Sequence, residues 1–533
     1  MMQAAFVTVA SPLSFSPCGF RKRVGVKCCA NAPKFNGVSK SDQDIHLDTG
    51  RLSRQCFPHT FAFGASTSAY QVEGMALEEG RGSSIWDSFV RTSVTGKIKD
   101  KSTADVTVDQ YHHYKEDIDL LKDLNFDSYR FSISWSRIFP DGTGKVNWKG
   151  VDYYNRLIDY LLEKASRTEL LGITPYVNLH HFDLPEVLEK RYNGWLCKKK
   201  EIVKDFADYA DFCFKLFGDR VKNWFTLNEP RIACIFGYYS GIIAPGRCSK
   251  PIGECEEGCS LTEPYEAAHN MILAHAAAVQ IYRLKYQKKQ QGKIGIVLDC
   301  KWYEPFRSPR NDHEAAKRAI DFEIGWFIHP ISCGQYPKSM IHNVGDRLPS
   351  FTEKEREMVR GSIDYVGINH YSTSYAEDPI ELLPRLYAGY EKDRRVIVHD
   401  DKVEEANGSN NNGRPWGMYK LLMHLKDNYG HYPIIVVENG TNDASDILFP
   451  YVLHDKARVD YYKGYVDAVK NAIDNGAKVI GYFAWSLLDN WEWSRGYTTR
   501  YGIVHVDLND QKRYPKLSAY WFQQLLKEEK VKP

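Results

Sequence analysis

The sequence lacks the features that mark several large classes of protein. No run of 18 apolar residues occurs after residue 40, so the body of the chain holds no candidate for a transmembrane helix. Neither sign of charge dominates, because 70 basic residues stand against 68 acidic ones, and a formal net charge of +2 gives no basic face suited to nucleic acid. We therefore expect a neutral small molecule as the partner, and neither a nucleic acid nor a membrane.

Motifs for nucleotides and metals are also missing. No GxGxxG follows the first predicted strand and no GxxxxGK[ST] occurs anywhere, so dinucleotide and P-loop sites have no support. The 12 cysteines are scattered and form no paired CxxC zinc motif, so we expect neither a metal nor a cofactor. Three of them, Cys248, Cys255 and Cys259, lie close together in a loop rich in Gly and Pro. We predict a local disulfide there that leaves one thiol over, and assign it to Cys248 and Cys255.

The N-terminal segment has a composition of its own. Asp42 is the first acidic residue, and four basic residues lie between Arg21 and Lys27 among Ser, Ala and Pro. Such a segment is typical of an organellar transit peptide, whereas a secretory signal would carry positive charge ahead of the apolar stretch AAFVTVASPL. We predict a plastid address over residues 1–41, with secretory or vacuolar delivery as the alternative, and one folded domain over 42–533.

The rest of the chain alternates between strand and helix patterns. Eight segments are apolar along their length, as strands covered on both faces are. Helical patterns separate them; in EIVKDFADYADFCFKLFG, apolar residues from Ile202 to Phe217 recur at three- and four-residue steps. Eight βα units predict a single (β/α)8 TIM barrel in preference to an open doubly wound sheet. The strands are predicted to begin at Phe61, Ser128, Thr174, Asn223, Lys293, Tyr365, Pro433 and Val479.

Two of these strands stop on a carboxylate. VKNWFTLNEP ends with Glu229 and YPIIVVENG with Glu438, and each glutamate touches an asparagine. One such residue is more often a helix cap or a surface ion pair, but two on different strands favour a shared site at the C-terminal ends of a barrel. A pair of carboxylates can cleave a glycosidic bond, because one protonates the leaving oxygen while the other attacks or activates water.

TLNEP followed by VVENG resembles the acid/base and nucleophile motifs of glycoside hydrolase family 1, in particular its plant β-glucosidases, over roughly residues 50–530. The resemblance implies that Glu229 is the general acid/base and Glu438 the nucleophile of a retaining mechanism, with carboxyl groups about 5 Å apart. The negative charge of Glu438 would then raise the pKa of Glu229 and keep it protonated for departure of the leaving group.

The resemblance also covers residues that would bind the sugar. Gln71 in SAYQVEG, His181 in NLHHFDLP and Asn228 beside the acid match sugar-binding positions of the family. His180 is not assigned this role, because adjacent side chains of a strand point to opposite faces. The floor, the hydroxyl-reading corner and the closing aromatic of the pocket match Trp485, Glu492, Trp493 and Tyr501.

A third set of matches supports the glutamates. Arg130 in SYRFSIS and Tyr371 in GINHYS match groups that hold the nucleophile, and the arginine would favour its ionised form. Tyr371 would also line the substrate site, and Asn369 of the same motif is assigned a supporting role.

Glu492 bears on the class of substrate. A carboxylate that accepts hydrogen bonds from two sugar hydroxyls suits a neutral hexose and would repel a 6-phosphate. Thioglucosidases of the family lack the acid/base glutamate, which this chain retains. We therefore expect hydrolysis of terminal β-D-glucosyl residues from glucosides or short oligosaccharides. Two alternatives are a β-mannosidase of the same family, since the pocket can accept an axial 2-hydroxyl, and a catalytically impaired sugar-binding homologue.

The chain departs from the family pattern in two places. ASRTELL, residues 165–171, is inserted between a helix and the strand that follows it. The segment NGSNNNGRP before Trp416 is shorter than usual and lacks a tryptophan that walls the aglycone site. Neither change includes a predicted sugar-binding residue, so we expect any effect to fall on folding or on the aglycone.

Overall fold

The structure is a computed structural model, and it divides the chain into two units, residues 1–48 and 49–533. The fold described below is that of the second unit. The predicted targeting segment, the insertion at 165–171 and residues 407–412 of the shortened segment lie outside the described residues. The structure describes residues 47–92, 96–164, 172–379, 388–401, 413–444 and 446–527.

Eight parallel strands of the described residues close into a barrel, which confirms the predicted fold class. Around the barrel the order is β1, β2, β3, β4, β5, β7, β10 and β12, with β12 pairing back to β1. Each lies in a segment predicted as a strand. In chain order the strands are β1 (Ala62–Ser66), β2 (Ser128–Ser132), β3 (Thr174–His180), β4 (Asn223–Asn228), β5 (Lys293–Asp299), β6 (Trp302–Pro305), β7 (Tyr365–Asn369), β8 (Thr373–Glu377), β9 (Ile397–His399), β10 (Ile434–Asn439), β11 (Asp443–Ala444), β12 (Val479–Trp485), β13 (Thr499–Arg500), β14 (Val504–Val506) and β15 (Arg513–Pro515).

Helices alternate with the barrel strands, and three of them continue into π-helical turns at Ile235–Tyr239, Tyr282–Gln287 and Asp321–Gly325. Within the described ranges no helix has both the length and the apolar character needed to cross a membrane. The α-helices are α1 (Ala69–Val72), α2 (Ile85–Thr92), α3 (Gln110–Asp123), α4 (Trp135–Ile138), α5 (Trp148–Glu163), α6 (Glu186–Tyr192), α7 (Glu201–Phe217), α8 (Pro230–Cys234), α9 (Glu263–Ile281), α10 (Lys288–Gln290), α11 (Arg310–Ile320), α12 (Trp326–Cys333), α13 (Lys338–Val344), α14 (Glu353–Val359), α15 (Tyr390–Arg394), α16 (Pro415–Tyr429), α17 (Lys456–Asp474) and α18 (Leu517–Leu525).

The barrel strands are largely apolar because both of their faces are covered. One face packs inside the barrel, where side chains from most of its strands form a single buried cluster. The other face meets the helices; on α7 the predicted apolar stripe is fully buried, from Ile202 to Phe217. Full burial of one large apolar side chain stabilises the fold by about 1.5–3 kcal/mol. The members of the inner cluster are Ala62, Tyr176, Phe225, Val297, Tyr365, Ile435, Val437 and Phe483.

The register of the strands brings polar residues to one end of the barrel. Asn228 of β4 lies opposite Val297 of β5, and Asp299 of β5 lies opposite Asn369 of β7. Asn369 also lies opposite Glu438 of β10. These are the C-terminal ends of parallel strands, where barrel enzymes have their active sites.

Candidate active site

Glu229 lies in the turn that joins β4 to α8. Its backbone is left-handed, with φ 43° and ψ 55°, and Pro230 begins the helix directly after it. The backbone N–H of Glu229 donates to the carbonyl of Val297 at 3.0 Å, which ties the turn to β5. The amide Nδ2 of Asn369 donates to Oε1 of Glu229 at 2.8 Å. The carboxyl group is therefore presented from a tight turn and held by a neutral donor.

Glu438 lies inside β10 and is almost completely buried. Its Oε1 accepts a charge-assisted hydrogen bond from Nη1 of Arg130, whose side chain is wholly buried. Its Oε2 accepts from the hydroxyl of Tyr371 at 2.7 Å. A carboxylate with a guanidinium on one oxygen and a hydroxyl donor on the other is stabilised in its ionised form.

The pKa values of the two glutamates follow from these surroundings. Burial raises the pKa of Glu229 well above its usual value, and the charges of Glu438 and Asp299 raise it further. Burial also raises the pKa of Glu438, but the charge of Arg130 and the hydrogen bond from Tyr371 oppose the rise. Near neutral pH the proton shared by this pair therefore belongs on Glu229. From the sequence, only the charge of Glu438 was predicted to raise the pKa of Glu229, whereas desolvation raises it more.

Asn228 connects the nucleophile side of the site to a histidine. Nη2 of Arg130 donates to Oδ1 of Asn228 at 2.7 Å, and this fixes the orientation of the amide. Nδ2 of Asn228 then donates to Nε2 of His181 at 3.1 Å, so the neutral imidazole carries its proton on Nδ1. Burial, followed by the charge of Arg130, holds the pKa of His181 well below its usual value. His181 is thus a neutral residue with a defined tautomer.

Gln71 and Glu492 form a second polar corner. Nε2 of Gln71 donates to Oε2 of Glu492 at 3.1 Å and to Oδ1 of Asn490 at 3.0 Å, while the hydroxyl of Ser68 donates to Oε1 of Gln71 at 2.7 Å. Burial raises the pKa of Glu492 to about 8; the charge of Glu438 adds to the rise, and the hydrogen bond from Gln71 opposes it. Near pH 7 a carboxyl with this pKa is mostly protonated, so the repulsion of a 6-phosphate expected from the sequence is weak there and increases as pH rises through about 8.

Aromatic rings lie beside these polar groups. The indole rings of Trp485 and Trp493 stack on the imidazole of His181, with centroids 5.8 and 6.0 Å away and interplanar angles of 16° and 10°. Tyr501 meets Tyr371 edge-on at 6.2 Å. Flat apolar walls around polar corners are the usual design of a sugar pocket, since a hexose has apolar ring faces and a polar rim.

The structure brings the predicted site residues together. Hydrogen bonds and ring contacts join both glutamates to the other predicted residues, with two exceptions. Gln71 and Glu492 bond to each other instead, and the charge of Glu438 raises the pKa of Glu492. His180 points elsewhere, as the strand alternation required, and its ring lies beside Trp195. Cys248 and Cys255 form the predicted disulfide. Of the residues that the structure describes, no group of three or more His, Cys, Asp or Glu is arranged to hold a metal ion.

Comparison with known families identifies the family of this chain. The profile of glycosyl hydrolase family 1 matches residues 53–531 of this chain. The chain belongs to glycosyl hydrolase family 1. This confirms the resemblance that the sequence motifs predicted.

Relatives of this family 1 hydrolase are similar over almost their whole length. Beta-glucosidase 44 of Arabidopsis thaliana is 57% identical over 494 residues, which cover 92% of this chain and 94% of the relative. Beta-glucosidase 1 of Oryza sativa subsp. japonica is 53% identical over 495 residues, covering 92% and 93%. The crystal structure of a rice β-glucosidase, 47% identical, superposes with a TM-score of 0.85 and covers 90% of this chain and 100% of its own. A family 1 β-glucosidase from Thermotoga maritima, 36% identical, gives a TM-score of 0.78 over 90% and 98%.

Some residues of this family 1 site were missed from the sequence. Ser68 and Asn490 orient Gln71, and nothing in their local pattern distinguishes them from other polar loop residues. Asp299 is different, because KIGIVLDC is an apolar strand that ends on a carboxylate, which is the same signal that singled out Glu229 and Glu438. The pattern at β5 could have placed Asp299 beside them.

Proposed function

We propose that this protein is a retaining β-glucosidase that releases glucose from the non-reducing end of β-glucosides through a glycosyl-enzyme intermediate. Glu438 is the nucleophile and Glu229 the general acid/base. The observation that supports these roles best is the contrast in their partners: Arg130 and Tyr371 hold Glu438 ionised, while burial and neighbouring negative charge keep Glu229 protonated. Acid-assisted displacement requires two carboxyl groups with different pKa values, so that one is protonated while the other is ionised.

In the first step the ionised Glu438 attacks the anomeric carbon and forms an ester with the sugar. The bond to the aglycone oxygen breaks, and Glu229 gives its proton to that oxygen, so the aglycone leaves as a neutral alcohol. Arg130 and Tyr371 lose their charged acceptor as the ester forms, and they keep the Glu438 carboxyl group fixed in position.

The second step uses the change in charge that the first step creates. Once Glu438 is esterified its negative charge is gone, which lowers the pKa of Glu229 because that charge was one cause of its elevation. Glu229 is now ionised and takes a proton from water as the water attacks the anomeric carbon. The ester bond breaks, glucose leaves with its β-configuration, and Glu438 is again ionised. A mutant of a related rice β-glucosidase is known as a covalent complex with Glc, which supports such an intermediate.

The sugar is read by the two polar corners. Gln71 and Glu492 offer adjacent donor and acceptor groups, while Asn228 and His181 form the corner nearest the nucleophile. Asn228 is expected to bind the 2-hydroxyl, an interaction that strengthens in the transition state. Trp485, which was predicted to form the floor of the pocket, would cover one apolar face of the ring.

The test is hydrolysis of an aryl β-glucoside by the purified chain, with Glu438→Gln as the inactive control. Proton NMR of the first product should show β-glucose before mutarotation. An α-product would exclude retention, and absence of hydrolysis would favour the impaired sugar-binding homologue. Comparing kcat/KM with that for the matching aryl β-mannoside tests the substrate: a higher value for the mannoside would assign the protein to the β-mannosidase branch instead.

We also propose, from the sequence of residues 1–41, that the protein is delivered to plastids. The Cys248–Cys255 disulfide favours the secretory alternative, because disulfides persist in oxidising compartments. A fluorescent protein fused behind residues 1–48 separates the two. Plastid fluorescence supports the proposal, and fluorescence in the secretory pathway or the vacuole contradicts it.

A further inference from the structure

A buried ion pair lies directly behind Glu229. Nε of Arg231 donates to Oδ2 of Asp299 at 2.9 Å, and Nη2 donates to the same oxygen. Both side chains are about 95% buried, each with 5% of its side-chain surface exposed. Arg231 stands two residues after Glu229 in α8, and Asp299 stands two residues after Val297, whose carbonyl accepts the N–H of Glu229. The pair therefore links α8 to β5, the two elements that the Glu229 turn also contacts.

Arg231 is fixed from its far side as well. Its Nη1 lies 3.8 Å from Oε1 of Glu323, which also accepts from the hydroxyl of Tyr303. The other oxygen of Glu323 accepts the backbone N–H of Lys301 at 3.0 Å. A guanidinium held between two buried carboxylates is fixed in the orientation that bonds Asp299.

The groups that act on Glu229 come from several strands. Glu438 of β10 and Asp299 of β5 are the negative charges that raise its pKa, after burial, and the amide of Asn369 on β7 opposes them. Tyr371, after β7, is neutral, since burial and the charge of Glu438 raise its own pKa well above the usual value. Arg130 of β2 is engaged by Glu438 and Asn228. Burial also raises the pKa of Asp299, but the charge and hydrogen bonds of Arg231 oppose that rise and favour the ionised form. Asp299 is thus the one negative neighbour of Glu229, among these groups, that persists when Glu438 is esterified.

We propose that Asp299 and Arg231 are positioning residues for the acid/base: the pair fixes the turn that carries Glu229, and the charge of Asp299 keeps Glu229 protonated between turnovers. This inference rests on the proposed function, because it assigns a role to the proton on Glu229. It also gives a reason for a buried ion pair at this point, where two apolar residues of similar volume would fold at least as well.

The decisive variant is Asp299→Asn, which removes the charge and preserves the shape. Its pH profile of kcat/KM should have a basic limb about one pH unit lower than the wild type, so activity at a fixed pH above that limb falls roughly tenfold. The direction follows because loss of negative charge lowers the pKa of Glu229, and Glu229 must be protonated in the first step. Substrates with poor leaving groups should lose more than activated ones, and Asp299→Glu should return the limb toward its wild-type position.

A matched control is available elsewhere in the chain. Asp117 of α3 is another fully buried aspartate paired with an arginine, and Nε of Arg513 donates to its Oδ1 at 2.8 Å. Asp117→Asn should reduce the melting temperature much as Asp299→Asn does. It should leave both limbs of the pH profile in place.

The outcomes separate this inference from the proposed function. A wild-type enzyme without β-glucosidase activity, or without a basic limb, overturns both. A normal wild type together with a folded Asp299→Asn variant whose limb and leaving-group dependence are unchanged overturns the inference alone. If Asp299→Asn does not fold, the double variant Asp299→Asn with Arg231→Gln replaces both buried charges, which is the better tolerated change. Its basic limb should still move down, and an unmoved limb refutes the proposal.

Discussion

Glu438 and Glu229 are the same side chain at the same end of one barrel, but their neighbours differ. Glu438 is held by a guanidinium from β2 and a phenol hydroxyl from the loop after β7. Glu229 is held by a neutral amide, and the charges that affect its pKa most, those of Glu438 and Asp299, are negative. The difference shows that the division of labour between acid and nucleophile is set by the strands around the two glutamates, since the glutamates themselves are chemically identical.

Removal of the nucleophile should cause the largest loss of activity among the variants that test this comparison. Glu438→Gln should lower kcat/KM for an aryl β-glucoside on the order of 10⁵-fold, because no other group is placed to form the glycosyl ester. Steady-state kinetics of the folded variant, with circular dichroism as the control for structure, check this. Appreciable turnover by a pure, folded variant would remove Glu438 from the nucleophile role.

Removal of the acid should have a smaller effect that depends on the substrate. Glu229→Ala should slow glucosides with poor leaving groups by about 10²–10⁴-fold and leave those with activated leaving groups far less affected in the first step. Azide should restore breakdown of the intermediate and give β-glucosyl azide, identified by NMR. If azide gives the α-azide, or if all leaving groups suffer equally, the assignment of Glu229 is wrong.

Tyr371→Phe removes the one hydroxyl that donates to Oε2 of Glu438, and so tests the surroundings of the nucleophile. Loss of a hydrogen bond to a charged group should reduce kcat/KM by roughly 10- to 100-fold. The hydrogen bond lowers the pKa of Glu438, so its loss raises that pKa and moves the acidic limb of the pH profile to higher pH. Tyr209→Phe is the matched control, because that buried hydroxyl donates to two backbone carbonyls away from the glutamates. An acidic limb that moves in both variants, or in neither, contradicts this account.

Asn369→Ala tests the acid side and should have the smallest effect on rate, roughly 2- to 13-fold, as expected for loss of a neutral hydrogen bond. The Asn369 amide lowers the pKa of Glu229 and also that of Glu438, so its removal raises both pKa values and moves the basic limb, together with the acidic one, to higher pH. Asn270→Ala, which removes a buried amide bonded to the carbonyls of Trp195 and Cys197, should leave the limb unchanged. A downward movement in Asn369→Ala would refute the assignment.

The barrel could be predicted because its strands are short, apolar and covered on both faces, and this pattern is local in the sequence. Two strands begin one residue later than predicted, at Ala62 and Ile434. The start of an apolar run in the sequence does not show which residue makes the first hydrogen bond to the neighbouring strand. The two glutamates could also be found, because a charge at the end of an apolar strand is a local feature.

Other parts of the site depend on distant contacts. Burial raises the pKa of Glu229 more than the charge of Glu438 does. The extent of that burial depends on how the eight strands close, so it cannot be predicted from the motif TLNEP alone. Gln71 is oriented by Asn490, which lies 419 residues away in the chain. Arg130 was assigned to the nucleophile, and the structure shows that it also fixes the amide of Asn228. Such bonds between distant segments need the fold before they can be predicted.

The left-handed backbone of Glu229 has a consequence for evolution. A residue with a side chain in this conformation costs of order 1–3 kcal/mol relative to a relaxed one, and glycine avoids most of that cost. The inactive Glu229→Gly variant should therefore melt at a higher temperature than the wild type, as differential scanning calorimetry can measure. Under the proposed function such a variant would gain stability and lose activity, so the two properties select in opposite directions at this position.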